Sequence, residues 1–174
     1  MRKSAIVVCI ALASSVFASA QPSVESCRKF VESFYAWYVP RVQKTPDLPI
    51  LALKQKPEAF APALRSALQA DFEASAKVKD DIVGIDYDPF LGSQDLAERY
   101  DLRNVAIKND SCFAEIWGKW PANPGDRQQP RPDAIAELKL DGETWQFVNF
   151  SYPYDDMDLM GNLAELRKER EKKP

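Results

Sequence analysis

The stretch Asp86-Tyr87-Asp88-Pro89-Phe90-Leu91-Gly92-Ser93-Gln94-Asp95 divides the chain. Before it, apolar residues recur at helical spacing. After it, they mostly alternate as in strands. Within it, Asp88-Pro89 starts a turn and Gly92 tolerates a positive φ. Phe90 and Leu91 are large apolar residues in that turn, so they are expected to point inward and pin it to the core. The order of elements predicts an α+β fold, with N-terminal helices packed against a curved antiparallel sheet of about four strands.

Working back from this stretch, a first helix is expected from Ser23 to Val39. Ser23 suits the N-cap and Glu25 the first turn. Val24, Cys27, Val31, Phe34, Tyr35 and Tyr38 form its apolar stripe, widened by Phe30 and Trp37. Pro40 is expected to end it. Residues 40–56 read as a connector whose patch Ile50, Leu51 and Leu53 makes one helical turn. A second helix is expected from Pro57, with Phe60, Leu64, Ala67, Leu68 and Phe72 as its stripe and Pro62 inside its first turns. It fades over Lys77 to Asp81.

Working forward, Ser93 and Asp95 suit local caps, with a short helix over Leu96 to Tyr100. Strands are expected at 103–108, 112–120, 134–140 and 144–151. Asn109-Asp110-Ser111 and Asp141-Gly142 supply the turns of two hairpins. In the last strand Trp145, Phe147, Asn149 and Ser151 share one face. Between the second and third strands lies a polar, proline-rich loop, 121–132. Residues 21–154 then form a single domain, followed over 155–174 by a charged C-terminal helical tail. Leu159, Leu163 and Leu166 anchor that tail, and its last turns are expected to be solvated.

Three local motifs add a resemblance. Phe34-Tyr35-x-Trp37-Tyr38, Asp88-Pro89-Phe90-Leu91-Gly92-x-Gln94-Asp95 and Asp141-Gly142-x-Thr144-Trp145-x-Phe147 together resemble an uncharacterised bacterial envelope family of exported proteins and lipoproteins. The layout of helices followed by a strand meander is similar to the nuclear transport factor 2-like cone fold. The resemblance covers roughly residues 24–153. It implies fold and compartment, since the family has no assigned activity. Some small exported proteins similar to it are immunity proteins against cell-wall amidases. The cone fold further implies a homodimer paired through the sheet.

The N-terminus fits that compartment. Arg2 and Lys3 precede an apolar run, Ser4 to Phe17, and Ala18-Ser19-Ala20 follows. This is the layout of a secretory signal peptide over residues 1–20, cleaved near Ala20. The expected location is periplasmic or secreted, with no membrane span after cleavage. Cys9 lies within the run and lacks the setting of a lipid-attachment cysteine. Cleavage takes Lys+Arg from 23 to 21 against 26 acids, a net charge of −5. Such a balance speaks against nucleic acid as a partner. Two cysteines remain, Cys27 and Cys112. In an oxidising compartment they are a disulfide pair or two buried thiols. As a disulfide they would stabilise by roughly 4 kcal/mol in the chain-entropy model.

The chain of 174 residues contains no histidine. That removes the commonest general base, the His-dependent triads and most zinc sites. No phosphate-binding Gly-rich loop is present. Asp86, Asp88 and Asp95 beside Tyr35, Tyr38 and Tyr87 could serve acid–base chemistry only if a pocket raised a carboxyl pKa. The competing reading is structural, with Asp88 starting the turn. Asp155-Asp156-Met157-Asp158 lacks the ligand spacing of a standard calcium loop. No catalytic residue, metal or cofactor is therefore expected.

The surface best suited to a partner is the loop region: Trp117, Trp120, Arg127 and Arg131. Aromatic and Arg side chains are the usual interface anchors. The expectation is a non-enzymatic exported protein that binds another envelope protein, in one form a cell-wall amidase. The alternative is a small-ligand or Asp/Tyr-based enzymatic cone. Asp88, Pro89, Phe90, Leu91, Gly92 and Asp95 are assigned to structure.

Overall fold

A computed structural model describes residues 22–45, 47–78, 83–120 and 131–172. The expected signal peptide, residues 79–81 of the expected helix exit and most of the proline-rich loop, including Arg127, lie outside these residues. Among the described residues no helix is long and apolar enough to cross a membrane.

Helix α1 spans Val24–Val42. The Ser23 side chain accepts from the amide of Ser26, which caps it. Cys27, Val31, Phe34, Tyr35 and Tyr38 are buried along one stripe. Val24 does not belong to that stripe and is 42% exposed. Pro40 does not end the helix either, because it falls in the last turn. It removes the bond to the Ala36 carbonyl, and the helix runs only two residues further, to Val42. The connector forms two turns, helix α2 over Leu48–Gln55.

The next helix starts later than its apolar stripe suggests. Pro57–Ala59 makes a single 3₁₀ turn, and Phe60 is extended. Phe60 bridges to Phe147, and the amide of Ala61 donates to the Phe147 carbonyl at 2.9 Å. Helix α3 then runs over Pro62–Ser75, with Pro62 at its N-terminus. Leu64, Leu68 and Asp71 are its buried residues.

The sheet is a five-stranded antiparallel meander, in sequence order: β1 Arg99–Lys108, β2 Ser111–Lys119, β3 Ala134–Asp141, β4 Thr144–Tyr152 and the two-residue β5 Met157–Asp158. No helix forms at Leu96 to Tyr100. The amide of Glu98 donates to the Lys119 carbonyl, and Arg99 and Tyr100 pair with Lys119 and Gly118. Cross-strand pairing takes the donors a helix would need. At the first hairpin Asn109 and Asp110 have φ of 48° and 65°, which a two-residue turn of matching twist requires.

Two bulges bend the sheet, one between Leu102 and Val105 and one between Glu137 and Leu138. The second inserts Val148, since Leu138 pairs with Phe147 and Glu137 with Asn149. It reverses the alternation of β4. Trp145, Phe147, Phe150 and Tyr152 therefore point into the core, while Asn149 and Ser151 do not share that burial.

The α+β class is as expected, with α1 to α3 preceding the sheet. The core lies between them and is strongly aromatic. Phe34 meets Tyr35, Trp37, Tyr38, Phe60, Phe90 and Phe147, with ring centroids 4.9 to 6.1 Å apart. A disulfide joins Cys27 of α1 to Cys112 of β2. Helix α4, Leu159–Lys172, closes the chain against α3 and β4. Its last turns are not wholly solvated. Arg170 forms an ion pair with the buried Asp71 at 2.6 Å.

Candidate functional site

The 88–93 turn is held from within and from without. One Asp88 carboxyl oxygen accepts from the amides of Phe90 and Leu91 at 2.9 and 3.0 Å. The other accepts from the Tyr38 hydroxyl at 2.6 Å. The Asp88 carbonyl accepts from the Gly92 amide, and the Asp88 amide donates to the Ser93 carbonyl. Gly92 sits at φ 70°, and a Cβ there would also meet the Asp133 carbonyl. Only glycine suits both demands.

Two further tyrosines grip the turn's backbone. The Tyr35 hydroxyl donates to the Phe90 carbonyl at 2.6 Å, and Tyr152 donates to the Pro89 carbonyl at 2.8 Å. Phe90 and Leu91 are fully buried. Burial pushes the Asp88 carboxyl up to about 6, against the lowering effect of its three donors. Burial likewise pushes the hydroxyls of Tyr35, Tyr38 and Tyr152 upward, so they stay protonated donors. Asp88, Tyr35, Tyr38 and Tyr152 are thus all engaged in holding the turn.

Two shallow clefts flank the residues just before the turn. One, about 430 Å³, is lined by Gly84, Tyr152, Asp155, Asn162 and Leu166 among others. The second, about 390 Å³, is lined by Asp47, Ile50, Phe72, Asp88 and Leu96 among others. Ile85, Asp86, Tyr87 and Gln94 line both and form the partition between them. Asp86 accepts from the Gln94 side chain at 2.7 Å. Asp95 is exposed and no helix follows it to cap. Asp158 does cap a helix, accepting from the amide of Gly161 and from Asn149. Those bonds hold its carboxyl below the usual range. Among the described residues no three Cys, Asp or Glu side chains group so as to hold a metal ion.

The loop residues are divided between two faces of β2. Cys112, Ala114 and Ile116 point into the core, so Phe113, Glu115 and Trp117 point away from it. Trp117 donates to Glu115 at 3.0 Å, and the Arg103 guanidinium lies over its ring at 4.3 Å from the centroid. Asn104 also donates to Glu115. Trp120 lies on the other side. A Cβ at Gly118 would come within 2.9 Å of its indole nitrogen, which donates to the buried Asp133. Asp133 also accepts from the Gly118 amide. Trp120 is thus tied to the chain on both sides of the loop. Arg131 is exposed and donates to the Pro153 carbonyl, while Tyr154 donates to the Arg131 carbonyl.

No family model, curated protein or solved structure matches this chain.

Two features of this region were not read from the sequence. Arg103 was read only as a strand residue, yet it completes the Trp117 stack. A bulge places it there, and bulges leave little local signal. Asp71 carries a clearer signal. It continues the stripe of Leu64 and Leu68 at helical spacing, and a carboxylate in an apolar stripe calls for a partner. That partner, Arg170, lies 99 residues away.

Proposed function

We propose that this chain is a non-enzymatic exported protein of the bacterial envelope that binds another protein through the outer face of its sheet. The observation that carries this reading is the Arg103–Trp117–Glu115 group. It sits on the face of β2 that bears no core contacts, where Phe113 and Ile135 accompany it. A Trp held by its bond to Glu115, with an Arg stacked on its ring, is an interface anchor that loses little side-chain freedom on binding. Exported location rests on residues 1–20, and the envelope family with its cone fold rests on the motifs quoted above. Inhibition of a cell-wall amidase is the specific form this reading takes.

Capture from a periplasmic extract tests it. Wild type should retain a partner that an Arg103→Ala, Trp117→Ala variant of unchanged melting temperature releases. Retention of the same proteins by both would move the interface elsewhere.

A second reading has its own observation, the paired clefts around Ile85, Asp86 and Tyr87. They would make the chain a small-ligand binder. A thermal-shift screen against envelope metabolites addresses this directly. A ligand whose stabilisation disappears in Asp86→Asn would favour the clefts over the sheet face.

A further inference from the structure

The segment 83–87 rises between the two clefts; Gln94 donates to Asp86 and the Tyr152 ring meets Tyr87, and helices α3 and α4 add three further grips. The first is Asp71 of α3, buried to 1% exposure, whose carboxylate accepts from the Ile85 amide at 3.0 Å. The second is Arg170 of α4. Its guanidinium donates to the other Asp71 oxygen at 2.6 Å and to the Val83 carbonyl at 2.8 Å. The third is Asn162 of α4, which donates to the Tyr87 hydroxyl at 3.1 Å. The segment is pressed hard onto α3, since a Cβ at Gly84 would collide with Ser75 and Asp71.

Two of the three grips come from α4, and that helix is unevenly anchored. Leu159 and Leu163 are buried, and Asn149 accepts from the Met160 amide. Beyond Leu163, Leu166 and Arg170 are the half-buried residues among those described, while the exposed Arg167, Lys168 and Glu171 pair among themselves or with Glu165 and line an open groove of about 820 Å³ against α3. A helix of this length is marginal by itself in water. Its second half thus depends on Leu166 and one cation, and releasing that cation leaves Asp71 buried without a counter-charge.

We propose that α4 is a strap. With Arg170 seated between Asp71 and Val83, the strap holds 83–87 down as a wall between the clefts. When the last two turns of α4 lift away, the wall is freed and the clefts on either side join into one groove. This control of the clefts does not depend on the sheet-face reading above.

Hydrogen exchange on the full chain tests the strap. In Arg170→Ala the Ile85 amide should exchange at least tenfold faster than in wild type. Amides of the central pairing, such as those of Ala114 and Ala136, should keep their wild-type rates. Arg170→Lys, which retains the charge on a shorter side chain without the planar guanidinium, should fall between them and serves where the alanine variant fails to fold. Unchanged Ile85 exchange would overturn the proposal. So would equal acceleration at all sites, because Arg170 would then stabilise the whole fold rather than one wall.

Discussion

Asp88 places a carboxylate among neutral donors with no cation facing it. Its donors are the Tyr38 hydroxyl of α1 and the Phe90 and Leu91 amides of its own turn, while Tyr35, Tyr100 and Tyr152 lie nearby and bond elsewhere. Burial dominates over these donors, so its folded-state pKa of about 6 exceeds the ordinary 3.8. The folded protein therefore binds more protons than the unfolded chain between those values. Stability should rise as pH falls from 7 toward 4, and it should be lost again as pH rises through 6. Urea denaturation of wild type and Asp88→Asn checks this. The difference between them should shift by about 1 kcal/mol in favour of wild type from pH 7 to pH 5. A difference that stays flat would mean that the carboxyl is solvated. Asp88→Ala should be worse at every pH, by about 3 kcal/mol or more, because it strands three buried donors at once.

Helix α4 shows what an element owes to a single end residue. Asp158 accepts from the Gly161 amide, satisfying a donor that the first turn leaves without an intrahelical partner. Asp158→Ala should cost about 1 kcal/mol, read as a lower melting temperature, while Asp158→Asn should cost less. Because the carboxyl is held below its usual range, the charged part of the cap is present above about pH 4 and fades as pH falls through the lowered value. The acids before α4 read in sequence as a failed calcium loop, and the cap among them was not recognised. Elements whose pattern is local were legible. The alternation in β2 and the stripe of α1 both place the buried residues correctly after the first turn. What was not legible depends on distant backbone. Phe60 leaves the helix to meet Phe147, Leu96 to Tyr100 is drawn into pairing with β2, and one extra residue at Val148 turns Phe150 inward. The site followed the same rule. Asp88 as a turn residue was readable from Asp-Pro and Gly92. The separation of Trp117 from Trp120 was not, because Trp120 lies beyond the last residue of β2 and folds back to Asp133.

Across the whole molecule, α1 is the element to which the other layers attach. It holds the 88–93 turn through Tyr35 and Tyr38, β4 through the Trp145 bond to Ser26, and β2 through the disulfide. The first three are hydrogen bonds, each contributing roughly 1 kcal/mol net. The disulfide differs in kind, because it acts mainly on the unfolded chain. It closes a sequence separation of 85 residues, for which the chain-entropy model gives about 4 kcal/mol. That is a large share of the roughly 5–15 kcal/mol that holds a typical domain together. A Cys27→Ala, Cys112→Ala variant should therefore lose about 4 kcal/mol in urea denaturation, with a denaturant slope raised by the more expanded unfolded state. Reduction of the wild type should also be slow under native conditions. Both cysteines are fully buried beneath α1, so a thiol reagent reaches them only after the helix leaves the sheet. The rate of reduction by dithiothreitol should rise with urea in step with the unfolded population. A rate independent of urea would show that α1 opens locally, and the disulfide would then guard one helix rather than the fold.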